Sequence, residues 1–136
     1  MCIGGFFIKL PAIKDLTLLK TYTPGLHLIA TLHSDQTALL DGYSGFKDLA
    51  DELTRAFDLQ KLGEVYHDFE PGGFTGIVCL SESHLSVHTW PEFGKVNVDI
   101  YLSNFQRVNN GAVREIFERI TAYFSAEIVS EHQIIR

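Results

Sequence analysis

Hydrophobic positions along the chain follow two different periods. Phe46, Leu49, Ala50, Leu53 and Phe57 recur at i, i+3, i+4, i+7 and i+11, and Val113, Ile116, Phe117, Ile120 and Phe124 repeat that spacing. Each set is the apolar stripe of an amphipathic helix. Ser44 is placed to cap the first helix, and Asn109-Asn110-Gly111 precedes the second. Runs 26–32, 63–69, 74–80, 85–90, 95–102 and 127–135 are short and rich in β-forming residues. Turn residues such as Pro71-Gly72-Gly73 and Pro91-Glu92-Phe93-Gly94 separate several of them, so they read as strands of an antiparallel sheet. Two one-sided helices beside such a meander predict an α+β fold, a two-layer α/β sandwich with both helices on one face of the sheet. In this reading residues 26–136 form the single domain and 1–25 an N-terminal extension, with 3–10 a candidate edge strand.

Strand periodicity also sorts the side chains of the central strands. Leu85, Val87 and Thr89 share one face, and Ser86, His88 and Trp90 the other. Val96, Val98, Ile100 and Leu102 likewise oppose Asn97, Asp99, Tyr101 and Ser103. The apolar sets belong under the helices. The second face carries His, Trp, Tyr and Asp where a merely solvated sheet would carry Lys and Glu, so it reads as a site or a subunit interface.

Composition narrows the function classes. A chain of 136 residues, 46% of them hydrophobic, has the size and apolar content of one domain with a real core. A formal net charge of −6 leaves no basic footprint for nucleic acid or for an anionic membrane surface. Cys2 and Cys79 are the only cysteines, and Cys79 sits in an apolar run, where it is expected as a packed thiol; a disulfide-stapled scaffold is not indicated. No run approaches the ~20 apolar residues of a membrane span, and the N-terminal stretch lacks the basic and apolar regions of a signal peptide. A cytoplasmic protein is expected.

The chemistry concentrates in Glu82-Ser83-His84-Leu85-Ser86-Val87-His88-Thr89-Trp90-Pro91-Glu92. This stretch resembles the processing-site signature of bacterial and archaeal S-adenosylmethionine decarboxylases, and the likeness extends from about Leu26 to the last helix, through His67-Asp68-Phe69 and Gly73-Phe74-Thr75-Gly76. The resemblance implies that Ser83 attacks the carbonyl of Glu82, that the chain separates into 1–82 and 83–136, and that Ser83 becomes a pyruvoyl group. That group would form a Schiff base with the substrate amine and act as an electron sink for decarboxylation, with no diffusible cofactor. It further implies that His88 supports processing and lies against the adenine, that Phe69 stacks on the adenine's other face, that Glu92 binds the ribose hydroxyls, and that Thr75 assists processing. S-adenosylmethionine is the implied substrate, spermidine synthesis the implied pathway, and a homodimer with sheets packed face to face the implied assembly.

One position departs from the family pattern. Aligning through Asp99-Ile100-Tyr101 puts Ser103 where the family carries a cysteine that protonates the substrate carbanion. An ordinary thiol ionises near pH 8.5 and gives up a proton far more readily than an alcohol, so Ser103 is expected to be a poorer donor. Two alternatives stay open: a pyruvoyl decarboxylase of arginine or ornithine, and a non-catalytic paralogue. Metal binding by His84 and His88 is not expected, because four residues along a strand span roughly 13 Å. A Ser-His-Asp hydrolase is not expected either, since no nucleophile elbow surrounds Ser83.

Overall fold

The computed structural model describes residues 22–136; the candidate edge strand at 3–10 lies outside them. Within that range the chain runs β1 (Leu26–His33), α1 (Thr37–Asp41), α2 (Ser44–Ala56), β2 (Lys61–Asp68), β3 (Phe74–Leu80), β4 (Ser83–Trp90), a single 3-10 turn (Pro91–Phe93), β5 (Lys95–Leu102), α3 (Asn110–Tyr123) and β6 (Glu127–Ile135). The strands form one six-stranded sheet in the order β2-β3-β4-β5-β1-β6, every neighbouring pair antiparallel. This is the α+β sandwich predicted from the patterning. Among the described residues no helix is long and apolar enough to cross a membrane.

The helices lie on one face of the sheet, α3 on β1 and β5, α2 on β3, and α1 on β4 and the turn after it. Leu28, Val78, Val87, Val98 and Ile100 point into this layer and are buried, together with Phe46, Leu53, Val113, Ile116 and Ile120 from the helices. Phe46 anchors it, with ring centroids 5.7 Å from Phe74 and 6.3 Å from Phe124. Each such side chain contributes roughly 1.5–3 kcal/mol by leaving water. The buried hydroxyl of Thr89 accepts the Phe74 N–H at 2.8 Å and donates to the Leu40 carbonyl at 2.7 Å, tying α1 to the sheet.

Three expectations require correction. Ser44 is the first helical residue of α2 and not its cap; Tyr43 occupies that position, with its carbonyl accepting the Lys47 N–H and its own N–H donated to Asp68. The fold has a third helix beyond the two that the apolar stripes predict, the short α1 of only 5 residues, which leaves no stripe because one turn cannot establish a helical period. Cys79 is exposed and not packed. It alternates with buried Val78 and Leu80, so the pleat turns it to the open side.

Candidate functional site

Among the described residues nothing covers the face away from the helices, and the burial alternation of β4 and β5 assigns His84, Ser86, His88 and Trp90, and Asn97, Asp99 and Tyr101, to it. Functional residues predicted from sequence divide between the two ends of β4.

At its start lies the Glu82–Ser83 peptide. Ser83 is a strand residue with φ +128°, a left-handed conformation that a side chain with a Cβ adopts only under constraint. The Glu82 carbonyl accepts the backbone N–H of Ser103 at 2.8 Å, because β4 and β5 pair with Ser83 opposite Leu102. A hydrogen bond to that oxygen polarises the carbonyl carbon and waits where negative charge would develop on attack. Ser103 is half-buried one position beyond β5 and shares the parity of Asp99 and Tyr101. The Glu82 side chain is held as well. Arg107 donates to its two oxygens at 3.1 and 2.8 Å, and Asn109 donates to one of them. The Arg107 guanidinium lowers the carboxyl's pKa below its ordinary value, Asn109 adds to this, and burial opposes both.

At the far end of β4, Phe69, Thr75, His88 and Glu92 line one cavity of about 520 Å³, with Phe74, Thr89 and Trp90 among its walls. Thr75 and His88 are cross-strand partners, and Thr75 Oγ1 is hydrogen-bonded to His88 Nδ1 at 3.0 Å. The loop from Phe69 to Gly73 closes on a hydrogen bond from the Phe69 N–H to the Gly73 carbonyl at 2.8 Å. Gly73, at φ +97°, is obligatory there, since a Cβ would meet the Thr89 carbonyl oxygen at 2.9 Å. The Phe69 ring is half exposed over the cavity mouth, edge-on to His67 at 4.7 Å. An aromatic, an imidazole and an acid around a half-open pocket suit a flat, polar-edged ring system carrying hydroxyls.

The two groups do not meet within one chain. Ser83 and His88 are five residues apart on one strand, roughly 16 Å at 3.3 Å per residue.

Between them the open face carries a cluster that sequence reasoning only half found. Nε2 of His27 and of His84 both donate to Oδ1 of Asp99, at 2.7 and 3.0 Å, with the Tyr101 ring 5.3 Å from His27. The three ligand atoms lie within 4.8 Å of one another. Each Nε2 already has Asp99 as its partner, whereas the buried Nδ1 of His27 has none. His84 thus lies with His27 and Asp99, and not with His88. The signal for His27 was its odd-numbered place in β1, with Ile29 and Thr31, opposite the buried Leu26, Leu28 and Ala30.

The model of the S-adenosylmethionine decarboxylase family matches residues 26–136. The S-adenosylmethionine decarboxylase proenzyme of Archaeoglobus fulgidus is 43% identical over 77 residues, 57% of this chain and 69% of that protein. The proenzyme of the same name from a Sulfurihydrogenibium species is 31% identical over 113 residues, 83% of this chain and 85% of that one. Among solved structures, the adenosylmethionine decarboxylase of Aquifex aeolicus superposes with a TM-score of 0.69 at 27% identity, covering 85% of this chain and 90% of the other.

Proposed function

The chain belongs to the S-adenosylmethionine decarboxylase family, and on that premise we propose that it cleaves itself at Ser83 and decarboxylates S-adenosylmethionine. The observation that carries this reading is the Glu82–Ser83 peptide: a strained serine whose upstream carbonyl already accepts a backbone N–H. Strain in the ground state and a preorganised donor both reduce the cost of attack.

The chemistry follows in two stages. The Ser83 Oγ forms a bond to the Glu82 carbonyl carbon, the carbon–nitrogen bond breaks, and the hydroxyl proton passes to the freed amine, so an amide becomes an ester. Loss of the Cα proton of residue 83 then breaks its Cβ–O bond and releases the Glu82 carboxylate. The remaining dehydroalanine takes up water and loses ammonia, leaving a pyruvoyl group at the head of 83–136. That group supplies an electrophilic carbonyl that captures the substrate amine and draws off the electron pair as CO2 departs. Phe69 and His88 hold the adenine between their rings, and Glu92 accepts from the ribose hydroxyls. Ser103 holds the proton delivered to the substrate carbon.

Because about 16 Å separates Ser83 from His88 in one chain, the working site is shared between two copies. A two-fold axis crossing the middle of β4 within the plane between two stacked open faces exchanges the ends of that strand, setting Ser83 of one copy over the cavity of the other. The exposed apolar side chains Val65, Ile77, Trp90 and Ile134 favour covering this surface. The assembled enzyme acts in the cytoplasm and supplies aminopropyl groups for spermidine synthesis.

The test is CO2 release from carboxyl-labelled S-adenosylmethionine, arginine and ornithine. Release is expected from the nucleoside alone; release from either basic amino acid in its place would contradict the substrate assignment.

A further inference from the structure

The loop between β5 and α3 does more than connect them. Arg107 reaches from it to both oxygens of the Glu82 carboxyl, at 3.1 and 2.8 Å, and Nη2 also donates to the Asp58 carbonyl just beyond α2 at 2.8 Å. Asn109 donates through Nδ2 to the same carboxyl and to the Ser103 carbonyl at 2.8 Å, while its own N–H is held by the Asn104 side chain at 2.7 Å. The residue whose main-chain carbonyl faces the Ser103 N–H thus has its side chain fixed by the same loop that supplies this donor.

We infer that Arg107 is a positioning residue for self-cleavage, neutralising the Glu82 carboxylate so that negative charge can develop on the Glu82 main-chain oxygen beside it. The inference rests on the self-processing reading above and adds a residue to it. Attack by Ser83 puts negative charge on an oxygen of the same residue that bears a carboxylate. Two like charges a few ångströms apart, partly shielded from solvent, repel strongly, and a forked guanidinium is the side chain best shaped to cancel one of them. The direction of the Glu82 shift, downward and led by Arg107, fits a carboxylate that keeps its charge because the cation is there. After cleavage the same contacts retain the new C-terminus at Glu82 against the domain.

The full chain would be produced by cell-free translation and the precursor followed over time by denaturing mass spectrometry. Arg107→Met is expected to slow its disappearance about 10-fold or more, since even one charge-assisted hydrogen bond is worth about that much and Arg107 makes two to the Glu82 carboxyl. Arg107→Lys should recover most of the rate. The double variant Glu82→Gln/Arg107→Met should cleave faster than Arg107→Met alone, because no carboxylate is left to neutralise; a purely structural tether would give no such rescue. Equal rates for the wild type and Arg107→Met, or a double variant as slow as Arg107→Met, would overturn the clamp while leaving self-processing intact. A wild-type chain that never cleaves would overturn both.

Discussion

Ser83 concentrates two features seldom found on one ordinary residue: a nucleophilic hydroxyl and a backbone angle of +128°. Strain of this kind costs of order 1–3 kcal/mol and persists only where its surroundings impose it. Here the β4–β5 ladder begins at Ser83, and the loop after β5 grips Glu82, so the strained peptide is held from both sides. Ser103 contributes to this through its main chain, whatever its side chain. Processing and turnover should therefore separate at this position. Ser103→Cys is expected to leave self-cleavage unchanged and to raise CO2 release from S-adenosylmethionine about 10-fold or more, since a thiol ionises several pH units below an alcohol. Unchanged CO2 release, measured beside the cleavage rate, would remove Ser103 from the role of proton donor.

At the scale of elements, long periodic segments were legible and short or cross-chain features were not. The stripes of α2 and α3 and the alternation of β3, β4 and β5 survive folding because each buries one face, and burial is what the pattern records. The parity that turned His88, Asp99 and Tyr101 to the open face held for the same reason. Helix α1 escaped because a single turn leaves no period, and the cap of α2 because its partner, Asp68, comes from a distant strand. The beginning of β4 was read at Leu85, two residues late, because Ser83 and His84 are not apolar and their strand character comes from pairing with Leu102 and Tyr101. Cys79 lies in an apolar run, which by itself suggests burial on both sides, whereas among the described residues the helices pack on one face of this sheet only. The clamp of Arg107 and Asn109 on Glu82 could not have been found from spacing, since neither residue type nor separation in sequence marks it.

For the whole molecule, the distance along β4 decides the architecture of the site. The proposed mechanism needs the serine at one end of β4 and the Thr75, His88, Phe69 and Glu92 cavity at the other to act together, roughly 16 Å apart in one chain, and therefore calls for two copies joined through the face bearing His27, His84, Asp99 and exposed apolar side chains. Co-expressing Ser83→Ala with His88→Ala should therefore produce a cleaved His88→Ala chain, because its intact serine meets the partner's intact histidine, while either variant alone stays whole. Absence of cleavage in the mixed sample, with wild-type co-expression cleaving normally, would return the site to a single chain. Beneath this lies the breaking of the backbone itself. Intact mass under denaturing conditions is the most direct measurement: the account predicts two fragments meeting at Glu82 and Ser83, the second beginning with a pyruvoyl group, and a single full-length species retaining an ordinary serine at position 83 would contradict it.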